Sequence, residues 1–518
     1  MLLNLVEKLY GENEELRKEV QTLKDEINRL KGEKGKPDIK PRKSENISSE
    51  EERKGGNTTN RKTSRRKKRE LPIHEVAMIA IDKNKLPSDV VFKGYSRKIV
   101  QGIKIEPYNI LVKRCNYYSP STCLYYTAEM PSRYAKEYSP ELQARIIELK
   151  EKYQMTEAKI LEFLQGLGIK ISAGTISNII LENGTNLIPE QKNILKAGIE
   201  VSKYISTDTT EAIENGVKKQ VHILVSEVFV AFFTRNDRKR TTVIDILRGT
   251  DSTNRVFAIS NEFFELLAKK EIALKNINIL KEYKSETLLK EPELLEILKP
   301  FEQHPNLHSL FYEFAYIAGF HAEEGFPIHT ILLTDDASIY DYIFLIHALC
   351  WIHEGRHLKK LNPVVSEFRV ELDKFITQFW NYYHTLLDFK LNPSEEYAVL
   401  LENKFDSLFS KKTNYEELNE RILKTFAKKE ELLVVLKNPS IPLHNNGSEL
   451  GARAIVRERD VSLHTKNEDG TKARDVFLTF IHTAKKLGVN FFDYLVDRIS
   501  GSFVLPSLAE LILKYIPP

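Results

Sequence analysis

The chain begins with a regular spacing of apolar residues, interrupted once by asparagine, in alternating steps of four and three. The positions are Leu2, Val6, Leu9, Asn13, Leu16, Val20, Leu23, Ile27 and Leu30. This pattern puts leucine at the d positions of a heptad and mainly β-branched residues at a. It favours a parallel coiled-coil dimer in which Asn13 fixes the register. We therefore predict a coiled coil over residues 1–33 that joins two or more copies of the chain. The alternative is a lone amphipathic helix packed on its own protein.

The periodicity ends there, and residues 34–71 are rich in Lys, Glu, Gly, Pro, Ser and Asn. Such a composition buries too little apolar surface to fold, so a flexible linker is expected. Within it, the run 61–69 is strongly basic. Its charged residues are Arg61, Lys62, Arg65, Arg66, Lys67, Lys68 and Arg69. This density of positive charge suits contact with DNA phosphates, although a solvated linker would have the same composition.

Short strand-like patterns follow in residues 72–128, and we predict a small β-rich module there. Cys115 and Cys123 lie within it, eight residues apart and without a second pair. A structural zinc site needs four ligands, usually supplied as close pairs. The spacing therefore favours ordinary buried thiols.

Residues 129–190 have the apolar spacing of three helices, between 139 and 185. The predicted helix caps are Ser139, Thr156 and Ser172. The third helix is expected to end before Gly184, and a glycine-containing turn separates it from the second. This order is typical of a helix-turn-helix DNA-binding segment. The candidate contacts to bases or phosphates are Thr175, Ser177 and Asn178. A generic three-helix bundle would give the same pattern.

From residue 191 onward the pattern is of the α/β type. Three β-rich runs follow one another, namely KYISTDTT, QVHILVSE and VFVAFFTR. A helical run, TTVIDILRG, and a fourth strand in IHTILLTDD complete the order β-β-β-α-β of a ribonuclease-H-like fold. We predict such a catalytic core over residues 191–500, with helical insertions near 250–325 and 363–437. Two further helices are predicted, a long amphipathic one at 340–361 and a C-terminal tail helix within 501–518.

Composition limits the class of protein. The 518 residues are enough for several domains, and the net charge of +4 is unremarkable. The three cysteines argue for a reducing compartment and against a disulfide framework. Neither a signal peptide nor an uncharged apolar run of about 18 residues is present, so no membrane partner is expected. The sequence predicts a cytoplasmic protein.

Acidic residues end two of the predicted strands and begin a late helix. Asp208 ends the first strand, Asp335 and Asp336 end the fourth, and Glu449 lies near the start of the helix. This layout is typical of metal-dependent phosphoryl transfer, in which two Mg²⁺ ions about 3.5–4 Å apart activate the nucleophile and stabilise the leaving oxygen. Asp208 would bridge both ions, an aspartate of the fourth strand would hold one, and Glu449 the other. Spacing alone does not choose between Asp335 and Asp336.

Glu449 is preceded by Asn445 and Asn446, which are preferred at helix N-termini, and Arg453 follows on the same helical face. The bland interpretation is an ordinary ion pair on a helix surface, with the aspartates capping turns. No His-Glu-x-x-His spacing, phosphate-binding loop or Gly-x-Ser-x-Gly motif occurs in the sequence. Zinc hydrolysis and serine-hydrolase chemistry are therefore not expected.

Four blocks of the chain carry a resemblance to a known family. They are LLTDDASIYDYI, with Thr334, Asp335 and Tyr340; CWIHEGRHLKKL, with Cys350, His353 and Arg356; HNNGSELGAR, with Asn445, Asn446, Glu449 and Arg453, followed by Arg459; and HTAKKLGVNFFDYL, with Thr483, Ala484, Lys485 and Gly488. Together they resemble the DDE transposases of bacterial insertion-sequence family sixty-six over essentially the full length. The match places Asp336 on the family's glycine, and so favours Asp335 as the ligand.

The resemblance implies a DNA transposase that cleaves phosphodiester bonds at the ends of its element and joins them to target DNA. Its catalytic and metal-binding residues would be Asp208, Asp335 and Glu449, with two Mg²⁺ ions for which Mn²⁺ can substitute. Arg453 and Arg459 would contact phosphate or steady Glu449. The supporting residues would be Asn445, Asn446, His353 and Arg356. Double-stranded DNA, further copies of the chain and accessory proteins of the same element are the implied partners, at the nucleoid.

Two departures from the family pattern matter. The first aspartate is followed by Thr209 and Thr210, where the family usually has Glu-Thr, and only Cys115 and Cys123 remain of a four-cysteine zinc module. Residues 72–128 are then a degenerate zinc-finger-like module for which no zinc is expected. Two other functions stay open. One is a catalytically inactive, transposase-derived DNA-binding protein, and the other is a ribonuclease-H-like, structure-selective nuclease.

Overall fold

A computed structural model describes residues 2–30, 72–81, 90–250, 252–270, 272–323, 326–327, 330–461 and 464–515. The fold is mixed α/β, and helices predominate. The strands are β1 Asn116–Ser119, β2 Leu124–Thr127, β3 Tyr204–Glu214, β4 Val217–Val225, β5 Val230–Arg235, β6 Val256–Ile259, β7 Ser285–Lys290, β8 Ile331–Thr334 and β9 Ile346–Leu349. No helix within these ranges is long and apolar enough to cross a membrane.

The helices of the first half of the chain precede and flank the sheet. They are α1 Leu2–Leu30, α2 Pro140–Ile147, α3 Glu157–Gly166, α4 Ala173–Val201, α5 Arg240–Leu247, α6 Asn261–Ala268, α7 Leu274–Lys281, α8 Glu291–Leu298 and α9 Pro305–His321. Those of the second half are α10 Trp351–Lys360, α11 Ser366–Leu391, α12 Glu395–Phe409, α13 Glu416–Phe426, α14 Lys429–Leu432, α15 Val434–Lys437, α16 Asn446–Asp460, α17 Glu468–Lys486, α18 Phe491–Ser500 and α19 Leu508–Leu513.

Five strands form the central sheet in the order β5-β4-β3-β8-β9. The first three are antiparallel, and β8 and β9 run parallel to β3. Asn215 and Gly216 form the β3–β4 turn with φ angles of 48° and 79°. Positive φ at both central residues is what a tight two-residue hairpin requires, and Asn-Gly tolerates it best. The three antiparallel strands, α5 and β8 match the predicted elements.

Helix α16 lies across β3 and β4. Ala452 and Ile455 on its inner face pack with Ile223 and other buried residues of the sheet. Ser448 Oγ lies 3.0 Å from Ser206 Oγ, which ties the first turn of α16 to β3. This packing fixes where the first turn of α16 lies relative to the strands.

One predicted helix is wrong. Residues 340–361 contain strand β9, Ile346–Leu349, and only then the shorter helix α10, Trp351–Lys360. A strand inside a parallel sheet is buried on both faces, so its sequence is a continuous apolar run rather than an alternating one. Periodicity does not distinguish such a run from a buried helix.

The segment 363–437 is helical, as predicted. Its helices α11–α15, here called the helical insertion (residues 366–437), share a core with α10 that includes Trp351, Phe379 and Phe405. The segment 250–325 differs from the prediction, because it contains the antiparallel pair β6–β7 beside its four helices. Strand β6 is buried against α9, and this contact is not visible in local sequence.

The prediction of a β-rich module at 72–128 is largely wrong for the described residues there. Only the hairpin β1–β2 forms strands, and apolar side chains such as Ile79 and Ile103 are 94% and 87% exposed. Apolar alternation yields a stable strand only where a sheet or a core receives it. Cys115 and Cys123 are likewise exposed free thiols rather than buried ones.

The three helices after residue 139 form as predicted, with side-chain caps from Ser139, Thr156 and Ser172. The third does not stop before Gly184 but continues to Val201 as α4. A Cβ at Gly184 would lie 2.4 Å from Ala473 Cβ on α17. Gly184 therefore allows two helices to approach closely. It does not end one.

The terminal helices form as predicted. Helix α1 is continuous over Leu2–Leu30, and α19 begins at a capping box made by Ser507 and Glu510. The basic run 61–69 lies outside the described residues.

A buried charge cluster joins α16 to the helical segment before the sheet. Glu458 of α16 and Glu151, in the turn after α2, are 5% and 6% exposed, near Arg474 of α17. Arg474 Nε is 3.9 Å from Glu458 Oε2. Burial raises the pKa of Glu458 to about 8, because the nearby Arg474 only partly offsets desolvation, while Glu151 and Asp475 add negative charge. Burial likewise raises the pKa of Glu151 to about 7.

This cluster predicts a pH-dependent stability. An acid whose pKa rises on folding destabilises the folded state as pH increases from its unfolded value through its folded value. Glu458→Gln should therefore match the parent in stability at pH 4 and exceed it by about 1–3 kcal/mol at pH 9. Urea unfolding at both pH values measures this, with the exposed Glu420→Gln as the control. A Glu458→Gln variant that is less stable than the parent at pH 9 would contradict the prediction.

Candidate active site

Asp208 lies in the middle of β3 and not at its end, as the sequence suggested, because the strand continues to Glu214. Its Oδ1 accepts a hydrogen bond of 2.7 Å from the backbone N–H of Thr209. The Thr209 hydroxyl lies 2.9 Å from the hydroxyl of Tyr340, a buried residue of the loop after β8. Thr209 thus links the Asp208 strand to that loop.

Asp335 follows β8 directly, as predicted. Strand β8 is parallel to β3 with Ser206 opposite Leu333, so counting two residues along each strand brings Asp335 level with Asp208. Asp335 is half-buried, and its Oδ1 accepts a 3.3 Å hydrogen bond from the backbone of Ala337.

Asp336 is exposed and forms an ion pair with Lys428 of the helical insertion. Lys428 also lies 3.4 Å from Glu354 of α10. Asp336 is therefore engaged by a structural network, whereas Asp335 lies beside Asp208. This difference favours Asp335 as the member of the site.

Glu449 lies in the first turn of α16, where the sequence predicted it. Arg356 of α10 donates two hydrogen bonds to its carboxylate, Nη1 to Oε1 at 2.7 Å and Nη2 to Oε2 at 3.3 Å. His353 Nε2 is 3.6 Å from the same Oε1 and accepts a 3.0 Å hydrogen bond from Arg356 Nη1. The two supporting residues suggested by the Cys-x-x-His-x-x-Arg block therefore both meet Glu449.

The charges of the three acids affect one another. Burial raises the pKa of Asp208 to about 6; the Thr209 N–H opposes this shift, and the negative charges of Asp335 and Glu449 add to it. For Glu449, burial acts in the same direction, but the hydrogen bond and charge of Arg356 outweigh it and lower the pKa. Asp208, Asp335 and Glu449 thus form one electrostatic unit from three separate elements.

Asn445 occupies the N-cap position of α16, as predicted, but its side chain makes no cap hydrogen bond. The residue is 1% exposed, and neither Oδ1 nor Nδ2 has a partner among the described residues. Its backbone N–H points to Cys350 Sγ at 3.4 Å, which holds the starts of α16 and α10 together. A buried amide without partners is costly and is common beside ligand-binding groups. Asn446 is the first residue of α16 and is half-buried.

The predicted arginines differ in their surroundings. Arg453 is exposed, one helical turn after Glu449, and its positive charge helps to lower the pKa of Glu449. Arg459 Nη1 donates a 3.1 Å hydrogen bond to the carbonyl of Glu211 in β3. Arg453 is thus available to a phosphate, while Arg459 also holds α16 on the sheet.

The residues predicted to contact DNA in α4 lie apart from the acids. Asn178 is exposed, Ser177 is half-buried, and the Thr175 hydroxyl lies 2.9 Å from that of Ser172. The seven basic residues between Arg61 and Arg69 are outside the described part of the chain.

Sequence reasoning missed Glu354, which is 2% exposed. Its carboxylate accepts a 2.9 Å hydrogen bond from the Thr425 hydroxyl and forms an ion pair with Arg421, and both partners are on α13. This contact holds α10, and so His353 and Arg356, against the helical insertion. The partners are about 70 residues away, so local sequence held no signal for it.

The donor chemistry at this site fits a hard divalent cation. Carboxylate oxygens suit Mg²⁺, which keeps several waters and needs only one or two carboxylates together with substrate phosphates. As the described side chains stand, no group of three His, Cys, Asp or Glu residues could hold an ion. Glu449 is engaged by Arg356, so its carboxylate would have to share or exchange that partner to bind a metal.

Comparison with known proteins identifies the class of protein to which this fold and site belong. A model of the transposase IS66 family matches residues 136–258 and 317–473, more than half of the chain. The chain belongs to this family, whose members are DNA-cleaving enzymes in general. It is also similar to the uncharacterized protein y4jO of Sinorhizobium fredii, with 29% identity over 325 residues that cover 62% of this chain and 100% of the relative.

Proposed function

We propose that the chain is a DDE transposase that cleaves DNA at the ends of its element and joins those ends to target DNA. The observation that carries the proposal is the electrostatic unit of Asp208, Asp335 and Glu449. Burial and the two neighbouring acids raise the pKa of Asp208 together. Perturbed acids that converge in this way are typical of a site built to receive positive charge.

The strand order supports a ribonuclease-H-like core. Three antiparallel strands followed by two parallel ones, with the acids on the central strand, after the adjacent strand and on a covering helix, agree with that fold. Family membership supplies the second reason. The proposal therefore joins a fold and a site that were inferred separately.

The residues have distinct proposed roles. Asp208, Asp335 and Glu449 would hold two Mg²⁺ ions, or Mn²⁺ in their place, and the bound ions would supply an activated oxygen nucleophile and neutralise the phosphate charge. Arg356 and His353 would orient Glu449. Arg453 would contact a DNA phosphate from the exposed face of α16.

DNA binding is proposed to involve Thr175, Ser177 and Asn178 at the start of α4, Arg459, and the basic run 61–69. Lysine and arginine contacts to phosphates release counterions, so affinity for element ends should fall steeply with salt. Two or more copies, paired through α1, would suit the joining of two DNA ends, with accessory proteins of the same element as further candidate partners.

The experiment uses labelled DNA from the ends that flank the gene, a target plasmid and Mg²⁺ or Mn²⁺. A transposase should bind the ends in preference to scrambled DNA and produce metal-dependent joined products. Specific binding without cleavage would favour an inactive DNA-binding protein. Cutting of branched DNA without end preference would favour a structure-selective nuclease.

Arg356→Lys should lower the joining rate about 10- to 100-fold, the scale for groups that orient metal ligands. Lysine keeps the positive charge but replaces the two-point contact with Glu449 by a single ammonium. Initial rates of joining measure the effect, and end binding should be unchanged. Lys360→Arg, an exposed change on the same helix, is the control. Full activity of Arg356→Lys would show that two-point contact is not required.

A further inference from the structure

Helix α1 is attached to the helical insertion by its polar face. Glu7 is 7% exposed, although it lies on a helix whose other side chains are mostly exposed. Its Oε1 accepts hydrogen bonds of 2.6 Å from the backbone N–H groups of Val364 and Val365. Val365 is the N-cap residue of α11 and has no polar side chain to cap it. Glu7 therefore supplies, from more than 350 residues away, a carboxylate at the positive end of that helix.

Asn4 makes the equivalent contact with a second helix. Its Oδ1 accepts a 3.2 Å hydrogen bond from the backbone N–H of Glu416, the first residue of α13. Its Nδ2 donates a 3.1 Å hydrogen bond to the carbonyl of Asn414. The N-cap residue of α13 is Tyr415, which makes no side-chain cap. Asn4 thus serves α13 as Glu7 serves α11.

The heptad stripe is on the opposite side of α1. At 100° per residue, Asn4 and Glu7 point about 160–180° away from the mean direction of the a and d positions. The apolar stripe remains exposed, at 46% to 77% of each side chain. Its measured members are Leu2, Val6, Leu9, Leu16, Val20 and Leu23. Packing of α1 on its own protein therefore uses the polar face and leaves the stripe uncovered.

We propose that Asn4 and Glu7 anchor α1 to the helical insertion of the same chain, and that the outward stripe receives the same stripe of a second copy. The occupant is a second copy because Asn13, at an a position, pairs best with the same asparagine in a parallel partner. The anchor stands on the contacts above. The pairing rests on the oligomer named in the proposed function.

The anchor leads toward the active site. Helices α11 and α13 both contact α10, which carries His353 and Arg356. A Cβ at Gly355 would lie 2.5 Å from Trp380 of α11, and Glu354 binds Thr425 of α13. Pairing of two α1 helices would then hold two catalytic sites in one fixed arrangement, instead of tethering them through a linker alone.

The test uses the full chain with the double change Asn4→Ala and Glu7→Gln, and with exposed Glu12→Gln as the control. Hydrogen exchange of the backbone around residues 364–365 and 416 should become about 10- to 100-fold faster in the double variant only. Light scattering should give the parent's mass for both variants, because the stripe is intact.

A second variant, Leu9→Asp, disrupts the stripe. It should reduce the mass to that of one chain while leaving exchange at 364–365 and 416 slow. Fast exchange in Leu9→Asp would mean that the anchor forms between copies, and unchanged exchange in the double variant would mean that no anchor exists. A parent of single-chain mass would overturn the pairing. Joining activity is scored separately, so failure of the proposed chemistry would not be mistaken for any of these results.

Discussion

Asp335→Asn should reduce DNA joining by about 10⁴-fold, whereas Asp336→Asn should leave it within about threefold of the parent. The two residues are adjacent in sequence and identical in type, yet their surroundings differ. Asp335 lies level with Asp208 across the parallel strands β3 and β8, and its charge raises the pKa of Asp208. Removing this carboxylate would remove one of the donors to the proposed metal site.

Asp336 instead forms an ion pair with Lys428 at the edge of the helical insertion. Such a pair, partly open to solvent, contributes about 0–1 kcal/mol, so its loss should change stability little and the site hardly at all. Joining rates at saturating Mg²⁺ measure both variants, with end binding as the check that each is folded. An inactive Asp336→Asn with an active Asp335→Asn would reverse the assignment.

Gly184→Ala should destabilise the fold by about 1–3 kcal/mol, even though alanine is the better helix former. The added Cβ would lie 2.4 Å from Ala473 Cβ and 2.7 Å from Ala473 Cα, so α4 and α17 would have to move apart. The contact is between two helix backbones and cannot be relieved by turning a flexible side chain. Overpacking should therefore outweigh the gain in helix propensity.

Gly166→Ala is the matched control, since it also lies in a helix and an added Cβ would meet nothing within 4 Å. It should be neutral or stabilise by about 0.5–1 kcal/mol. Chemical denaturation of both variants gives the two changes in the free energy of unfolding. A stabilised Gly184→Ala would mean that α4 and α17 are not packed this closely.

Local sequence was sufficient where one element carries its own signal. The caps Ser139, Thr156 and Ser172, the strands before Asp208 and Asp335, and the first turn that holds Glu449 all follow from neighbouring residues. Parallel pairing of separated strands was enough to expect that the acids would meet. The resemblance added the choice of Asp335 over Asp336 and pointed to His353 and Arg356.

Long-range packing decided what local sequence missed. Strand β9 resembles a helix because it is buried on both faces, and Gly184 resembles a helix stop because its partner, Ala473, is almost 300 residues away. The apolar alternation of 90–112 lacks a partner sheet among the described residues and stays outside strands. The capping role of Glu7 follows only from the position of α11, which the heptad pattern does not contain.

The measurement that tests the central claim most directly is metal-dependent joining of element ends by the parent and by Glu449→Gln. Glutamine keeps the shape of the side chain and removes the charge that would bind a metal ion. We predict joined products from the parent in Mg²⁺, none without a divalent ion, and none from Glu449→Gln although it still binds the ends. Joining by Glu449→Gln at the parent's rate would contradict the assignment of the site.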